Sequence, residues 1–287
     1  MLYTLAHTGH AHIGEAMQWT WEPLVVIPLM LMAILYVQGV PHLLGRTING
    51  WQAAAFATGW LSLVIALVSP LDALGGILFS AHMAQHEILM VVAAPLLVLG
   101  RPLLAFLWAL PPPARARIGA WTQMPAFASA WTAISGAFAA TLLHAAALWI
   151  WHLPSLYQAT LHSDFIHSLQ HISFLGTAAL FWWALMHGRY GRLGYGAAVL
   201  YVFVTAVHSG ALGALVTLSP RLLYPIYATS TRAWGLDPIE DQQLAGLIMW
   251  VPAGVVLTVL GLALFAAWLG EAERRVAFTR SETMRKS

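Results

Sequence analysis

Residues Gly196–Ser219, GAAVLYVFVTAVHSGALGALVTLS, run for 24 positions without an Asp, Glu, Lys or Arg. At about 1.5 Å of rise per residue such a helix is longer than the roughly 30 Å hydrocarbon core of a bilayer. Alternating apolar and polar positions, the mark of a membrane β-barrel, are absent, and a helix satisfies its own backbone in lipid. Six further apolar stretches follow the same reading: Leu24–Val40, Trp51–Ser69, Ile77–Leu99, Phe127–Trp151, Phe165–His187 and Gln243–Leu269. The expected fold is therefore an all-α, polytopic membrane bundle of about seven transmembrane helices. Pro102–Leu110 is too short to span, and Pro111–Pro113 ends any helix there.

Composition agrees. Of 287 residues, 60% are hydrophobic and only 8% charged, with a mean hydropathy of +0.72. A soluble domain carries about 25% charged residues, so lipid must be the solvent and a soluble enzyme is excluded. A net charge of +2 without a basic stripe argues against nucleic acid. Cysteine is absent, which removes disulfides, thiolate metal sites and cysteine nucleophiles. No nucleophile–base pair, phosphate loop or dinucleotide motif supports catalysis, so the chain is read as a non-enzyme. The start lacks the basic and apolar regions of a cleaved signal peptide and reads as a polar tail.

Positive charge orients the bundle. With the N-terminus outside and the C-terminus inside, eleven of the thirteen Lys and Arg fall on the inner side, and only Arg221 and Arg232 lie outside. The expected division is a periplasmic, histidine-containing tail at 1–22, a seven-helix membrane domain at 23–270, and a cytoplasmic basic tail at 271–287. Tryptophans near the span ends, such as Trp51, Trp151 and Trp268, read as an interfacial belt.

Histidine, at 13 copies, is the informative residue. His82 and His86 are four apart at the head of the third span, and His167 and His171 repeat that spacing at the head of the fifth, so each pair shares a helix face. His144 lies two turns inside the fourth span, His152 at its end, and His208 in the middle of the sixth. Counting along the helices places His86, His144 and His171 in one layer, roughly 8–12 Å below the outer surface, with Met249 of the last span at similar depth. A single membrane histidine is commonly an interhelical hydrogen-bonding residue. Two such pairs together with further imidazoles at matching depth point instead to a site, because ionisable groups in lipid face the bundle interior. Imidazole without thiolate suits copper, zinc, iron or nickel; methionine (Met83, Met90, Met249) biases such a site to Cu(I); paired imidazoles also suit haem. Spacing leaves copper and haem both open. Glu87 could orient an imidazole or pass protons, although one residue from His86 it is expected on another face. His152, His162 and Asp241 are read as supporting residues, and His7, His10 and His12 as an exposed metal-capture arm. Asp237, Glu240 and Asp241 crowd the mouth of the last span, where Asp241 is expected to cap its own helix. Gly246 is read as permitting close helix contact, and Pro95, Pro154 and Pro252 as kinking or ending helices.

Three blocks carry a resemblance. SAHMAQHEILMVVAAPLLVLGRP at Ser80–Pro102, WHLPSLYQATLHSDFIHSLQHISFLGTAALFWW at Trp151–Trp183 and DPIEDQQLAGLIMWVP at Asp237–Pro252 together resemble, in type and order, the multi-span CtaG family of bacterial cytochrome c oxidase assembly factors. The likeness extends over about residues 20–270; the histidine-rich tail lies outside it. It implies a multi-pass protein of the bacterial inner membrane that helps mature the copper-containing subunits of haem-copper oxidases, with kinship to CopD-type copper-handling proteins. The expected partners are oxidase subunits, the lipid bilayer and periplasmic copper chaperones. The expected cargo is copper, held as by a metal chaperone. A haem-binding protein of cytochrome b type, a CopD-like copper transporter and a metal-free scaffold stand as alternatives.

Overall fold

A computed structural model describes residues 18–187 and 194–286. Among these residues there are helices and no strands. Six helices are long and apolar enough to cross a membrane, and a bent pair supplies a seventh span when counted as one. The first two are α1 (Pro23–Gly39) and α2 (Gly50–Leu67). Pro23 opens α1, where its missing N–H is harmless, and the Asn49 N–H before α2 donates to Gln52 Oε1 at 3.0 Å. The short α3 (Pro70–Gly75) follows, with the Ser69 hydroxyl accepting from the Leu71 N–H.

The third span is composite. It runs from α4 (Phe79–Glu87) through a π-helical stretch, Ile88–Ala93, into α5 (Ala94–Leu99). A π turn leaves a carbonyl out of register, and π turns gather at functional sites. Here the Trp182 indole N–H donates to the Met90 carbonyl at 2.9 Å. Arg101, the one non-glycine with positive φ among the described residues, turns the chain into α6 (Pro102–Ala109), which packs on α1. A Cβ on Gly39 would stand 1.8 Å from the Ala105 carbonyl oxygen, so only glycine allows that approach.

The expected fourth span, Phe127–Trp151, is broken. After α7 (Pro112–Thr122), α8 (Pro125–Ile134) and α9 (Ala137–Trp151) meet at 61°. The Ser135 N–H and hydroxyl both donate to the Trp131 carbonyl, at 2.9 and 2.6 Å, and Gly136 then turns extended. Pro154 starts α10 (Pro154–Thr160), and α11 (Asp164–His187) and α12 (Tyr195–Leu218) are straightforward spans. The last helix, α13 (Pro238–Lys286), is 49 residues long; Pro252 lies within it without ending it, and the helix continues through the basic segment.

Two cores result. One joins α1, α2, α6 and part of the third span around Tyr36, Phe56 and Leu63; the other joins the third span to α9–α13 around Phe174, Phe181 and Tyr201. The third span is the wall between them and is the most enclosed of the spans. Helices α12 and α13 pack closely because a Cβ on Gly246 would fall 2.2 Å from the Thr217 hydroxyl. The loop before α13 folds over the end of the bundle that carries α3 and α10, called the upper end below. Its Tyr224 and Tyr227 are buried there, and Ser230 donates to the Ile77 carbonyl at 2.7 Å.

Candidate functional site

At the upper end α4 and α11 set their two histidine pairs against each other. Ring centroids are 4.5 Å apart for His82 and His86, 4.1 Å for His167 and His171, 5.1 Å for His82 and His167, and 5.4 Å for His86 and His171. His82, His167 and His171 each offer a ring nitrogen within 4.8 Å of the others. His152, just past α9, closes a further side, 6.5 Å from His86. The i, i+4 spacing that put each pair on one face thus becomes a cluster of five imidazoles.

The cluster is held from outside. Asp241 is fully buried, and its carboxylate accepts from the Phe79 N–H at 2.7 Å, the Ser80 N–H at 3.2 Å and the Ser80 hydroxyl at 2.5 Å. It therefore caps the histidine-bearing α4 and not its own helix, correcting the expectation above. Asp237 is the residue that serves α13, accepting from the Ile239 N–H at 2.9 Å. Gln85 donates to the Ala66 carbonyl and to Asp72, at 2.7 and 2.6 Å, tying α4 to α2 and α3. Tyr157 and Tyr227 share a hydroxyl hydrogen bond of 2.9 Å beside the cluster, and Tyr224 donates to the His152 carbonyl at 2.8 Å.

The ring nitrogens distinguish a site from packing. Interhelical bonding would leave them partnered, yet both nitrogens of His86 and Nε2 of His152, His167 and His171 are buried without a hydrogen-bond partner. His82 Nε2 lies 3.3 Å from Gln170 Oε1, while its Nδ1 is unpartnered. Gln170 Oε1 is placed to orient the His82 ring, as carbonyls do behind metal-bound histidines. Nitrogens about 2.0 Å from a shared ion stand roughly 3.3–3.5 Å apart, so a contraction of at most about 1.5 Å closes the observed triad on one. The residues present therefore fit a small cation.

Other expected residues fall elsewhere. His144 does not join the layer of His86 and His171. It sits further along the bundle, 6.3 Å from His208, with Nδ1 3.2 Å from the Thr177 hydroxyl. His162 is exposed and apart. Glu87 is not turned away as expected: it is walled into the same cavity as His86, because that cavity reaches around the helix toward α12 and α13. Met249 lines the same cavity. His7, His10 and His12 lie outside the described residues. At the opposite end, His42 and His187 rest on Trp108 and Trp183, at 6.3 and 4.5 Å.

A further acidic group, distinct from Asp237, Glu240 and Asp241, stands at the upper end. Glu22, Asp72 and Asp164 interact with one another, and Asp72 and Asp164 act on His167. Burial raises the Glu22 carboxyl to about 6, with Asp164 and Asp72 adding to it. Burial also raises Asp72, against the pull of His167 and Gln85. Burial lowers His152 to about 4, so that imidazole is neutral at physiological pH with a lone pair to give. Three carboxyls thus stand over a set of neutral donors. Glu22 and Asp72 belong to no recognisable motif; only the folding of α3 over the fifth span brings them to Asp164.

The chain aligns with proteins of mycobacteria. It is 30% identical over 271 residues to uncharacterized proteins of Mycobacterium bovis and Mycobacterium tuberculosis, and 26% identical over 273 residues to one of Mycobacterium leprae. These alignments cover 90% of this chain and 40% of each relative, so the chain spans well under half the length of the curated relatives it matches. No solved structure matches. The model of the cytochrome c oxidase caa3 assembly factor family matches residues 34–271, from within α1 into α13, and includes every histidine of the upper cluster. The chain belongs to the caa3 cytochrome c oxidase assembly factor family.

Proposed function

We propose that this protein assists maturation of cytochrome c oxidase by holding copper at His82, His86, His167 and His171, with His152 at the edge of the site. Family membership supports the assembly role. The observation that carries the copper reading is the set of buried, unpartnered imidazole nitrogens converging between α4 and α11. Leaving such groups unpartnered costs about 1–3 kcal/mol each, a cost that an ion recovers by accepting their lone pairs. The protein's part is to present neutral imidazoles, fix them through Gln170 and Asp241, and exclude lipid from them. No covalent turnover is required of it.

The charge distribution supports an outer location for the cluster, and on that reading the Glu22, Asp72 and Asp164 mouth draws cations from the periplasmic side of a bacterial inner membrane. Copper would come from soluble chaperones there and pass to the copper-containing oxidase subunits. Transport across the membrane gains little support, because His42 and His187 rest on tryptophans and stand alone at the far end. Haem is less well supported than copper, since neighbouring imidazoles occupy the plane that a porphyrin between any two would need.

Metal analysis of the full chain purified in detergent tests this. The parent should retain about one equivalent of copper at the cluster after removal of loose metal. The double variant His86→Ala, His171→Ala should lose it while inserting and folding normally, judged by helical circular dichroism. Equal copper in both would overturn the assignment, and a strong visible haem band with no copper would favour the haem alternative.

A further inference from the structure

The cavity that holds Glu87 and Met249 lies deeper in the bundle than the imidazole cluster. It has a volume of about 50 Å³ and is walled by Met83, Met90 and Met249 together with His86, Glu87 and His144. A water-sized occupant needs roughly 10–15 Å³ by the same measure, so this space admits an ion with little rearrangement. The residues around it are not those of the upper cluster, apart from His86 and His152, which border both.

Its methionines set it apart. The chain has ten methionines. Among the described residues, the three that are buried are Met83, Met90 and Met249, and all three line this one cavity. Buried methionine ordinarily fills irregular gaps in a core. Here three of them come from two different spans and border a gap instead of closing it. Met83, Glu87 and Met90 are spaced four and three apart, so they form a stripe on the third span. The stripe enters the π turn, whose Met90 carbonyl is taken up by Trp182. Met249 faces it from α13. Further polar atoms of the lining residues have no hydrogen-bond partner: Glu87 Oε2, both ring nitrogens of His86 and His152 Nε2. The hydroxyls there are already committed, Thr205 to the Tyr201 carbonyl at 3.0 Å and Ser209 to the Thr205 carbonyl at 2.8 Å.

We propose that Met83, Met90 and Met249 form a second, thioether site for monovalent copper, which exchanges with the imidazole cluster through His86. Soft thioethers select Cu(I) over divalent ions, whereas imidazole accepts both. Glu87 places one carboxyl beside the three neutral sulfurs and complements a cation of low charge. The two levels then differ in what they hold: an imidazole level open to either oxidation state, and a sulfur level restricted to the reduced ion. This goes beyond one metal per protein, and it rests on copper being the cargo proposed above.

Silver(I), a redox-silent stand-in for Cu(I), and zinc(II), which thioethers hold poorly, separate the two levels. The full chain in detergent is titrated with each ion, and the bound silver is examined by X-ray absorption. The parent should bind about one more equivalent of silver than of zinc, with sulfur in the silver coordination shell. The variant Met90→Leu, Met249→Leu keeps side-chain volume and apolarity. It should lose the extra silver and the sulfur signal while zinc binding is unchanged. The variant His167→Ala, His171→Ala should do the reverse, losing zinc and keeping sulfur-ligated silver. Absence of sulfur around silver in the parent, or unchanged silver stoichiometry in the leucine variant, would overturn the thioether site. Failure of the imidazole reading is a separate result: zinc and copper retained by the histidine variant.

Discussion

The two histidine groups of this bundle differ in number and in what surrounds them. His144 and His208 lie near mid-bundle on α9 and α12, and His144 is bonded to Thr177. The five upper imidazoles are more numerous and closer, and every one of them keeps at least one buried nitrogen unpartnered. An unpartnered nitrogen alone does not mark a binding site, since both ring nitrogens of His208 also lack a partner. What differs is convergence and support: the lower group is one pair with ring centroids 6.3 Å apart, whereas the upper group brings five imidazoles together between α4, α9 and α11. The supporting residues differ too. Asp241, Gln170, Gln85 and three tyrosines surround the upper group, and the resolved partner of the lower pair is one threonine.

That contrast predicts that removing the support of the upper group hurts most. Asp241→Ala deletes an acceptor shared by two backbone N–H groups and a hydroxyl, all buried. Charge-assisted hydrogen bonds contribute about 1.5–3 kcal/mol each, and orphaned donors add to the loss. Thermal unfolding in detergent should show a loss of about 3 kcal/mol or more, and copper affinity should fall at least tenfold because α4 is no longer fixed. The exposed cap Asp237→Ala, by comparison, should cost about 1 kcal/mol and leave copper affinity alone. Equal losses in the two variants would mean that Asp241 only caps a helix.

Gln170→Leu sharpens the same comparison with less structural damage. It leaves His82 Nε2 without its carbonyl partner. Loss of a residue that orients a metal-bound histidine costs about 10–100-fold in metal affinity. Competition with a chelator of known affinity should show a drop of about tenfold with little change in melting temperature. His144→Phe addresses the lower group. Loss of the Thr177 contact should cost about 1 kcal/mol of stability, and zinc binding at the upper cluster should stay within twofold of the parent. A tenfold loss there would join the two groups into a single site.

Much of this was legible in the sequence, for physical reasons. A charge-free run of 24 residues has few alternatives to a membrane helix, and i, i+4 histidines must share a face once the helix exists. What escaped detection depends on contacts between residues far apart in the chain. Asp241 reads as a cap for its own helix because capping is a local pattern; its true partners, Phe79 and Ser80, are about 160 positions away. Glu87 reads as facing away because helical phase shows which side a residue takes but not how far a cavity extends around the helix. The break between α8 and α9 turns on Ser135 and Gly136, a pair equally at home in an unbroken membrane helix. Counting residues from the span ends also places His144 too near the upper layer, because His152 at the end of α9 already sits beside His86.

The smallest expected effect concerns the mouth above the cluster. Glu22 has its carboxyl raised from 4.5 to about 6, by burial first and then by Asp164 and Asp72. Between those two pH values the folded protein holds a proton there that the unfolded chain has released. The group therefore favours folding most fully below about pH 4.5, and that contribution is lost as pH rises through 6. At neutral pH its charge adds to those around it, which weakens the fold slightly but attracts cations. Glu22→Gln should consequently stabilise the protein a little at pH 7.5 and not at pH 4.5. Capture of silver(I), followed by rapid mixing at low ionic strength, should be about twofold slower in the variant at pH 7.5. The parent-to-variant rate ratio should converge on one as pH falls below about 5.5, and shrink with added salt because exposed charges are screened beyond roughly 10 Å at 0.1 M. Protonation of the imidazole ligands slows both proteins alike, so the ratio isolates Glu22. A ratio independent of pH would show that the carboxyl acts through packing and that cations reach the imidazoles without its help.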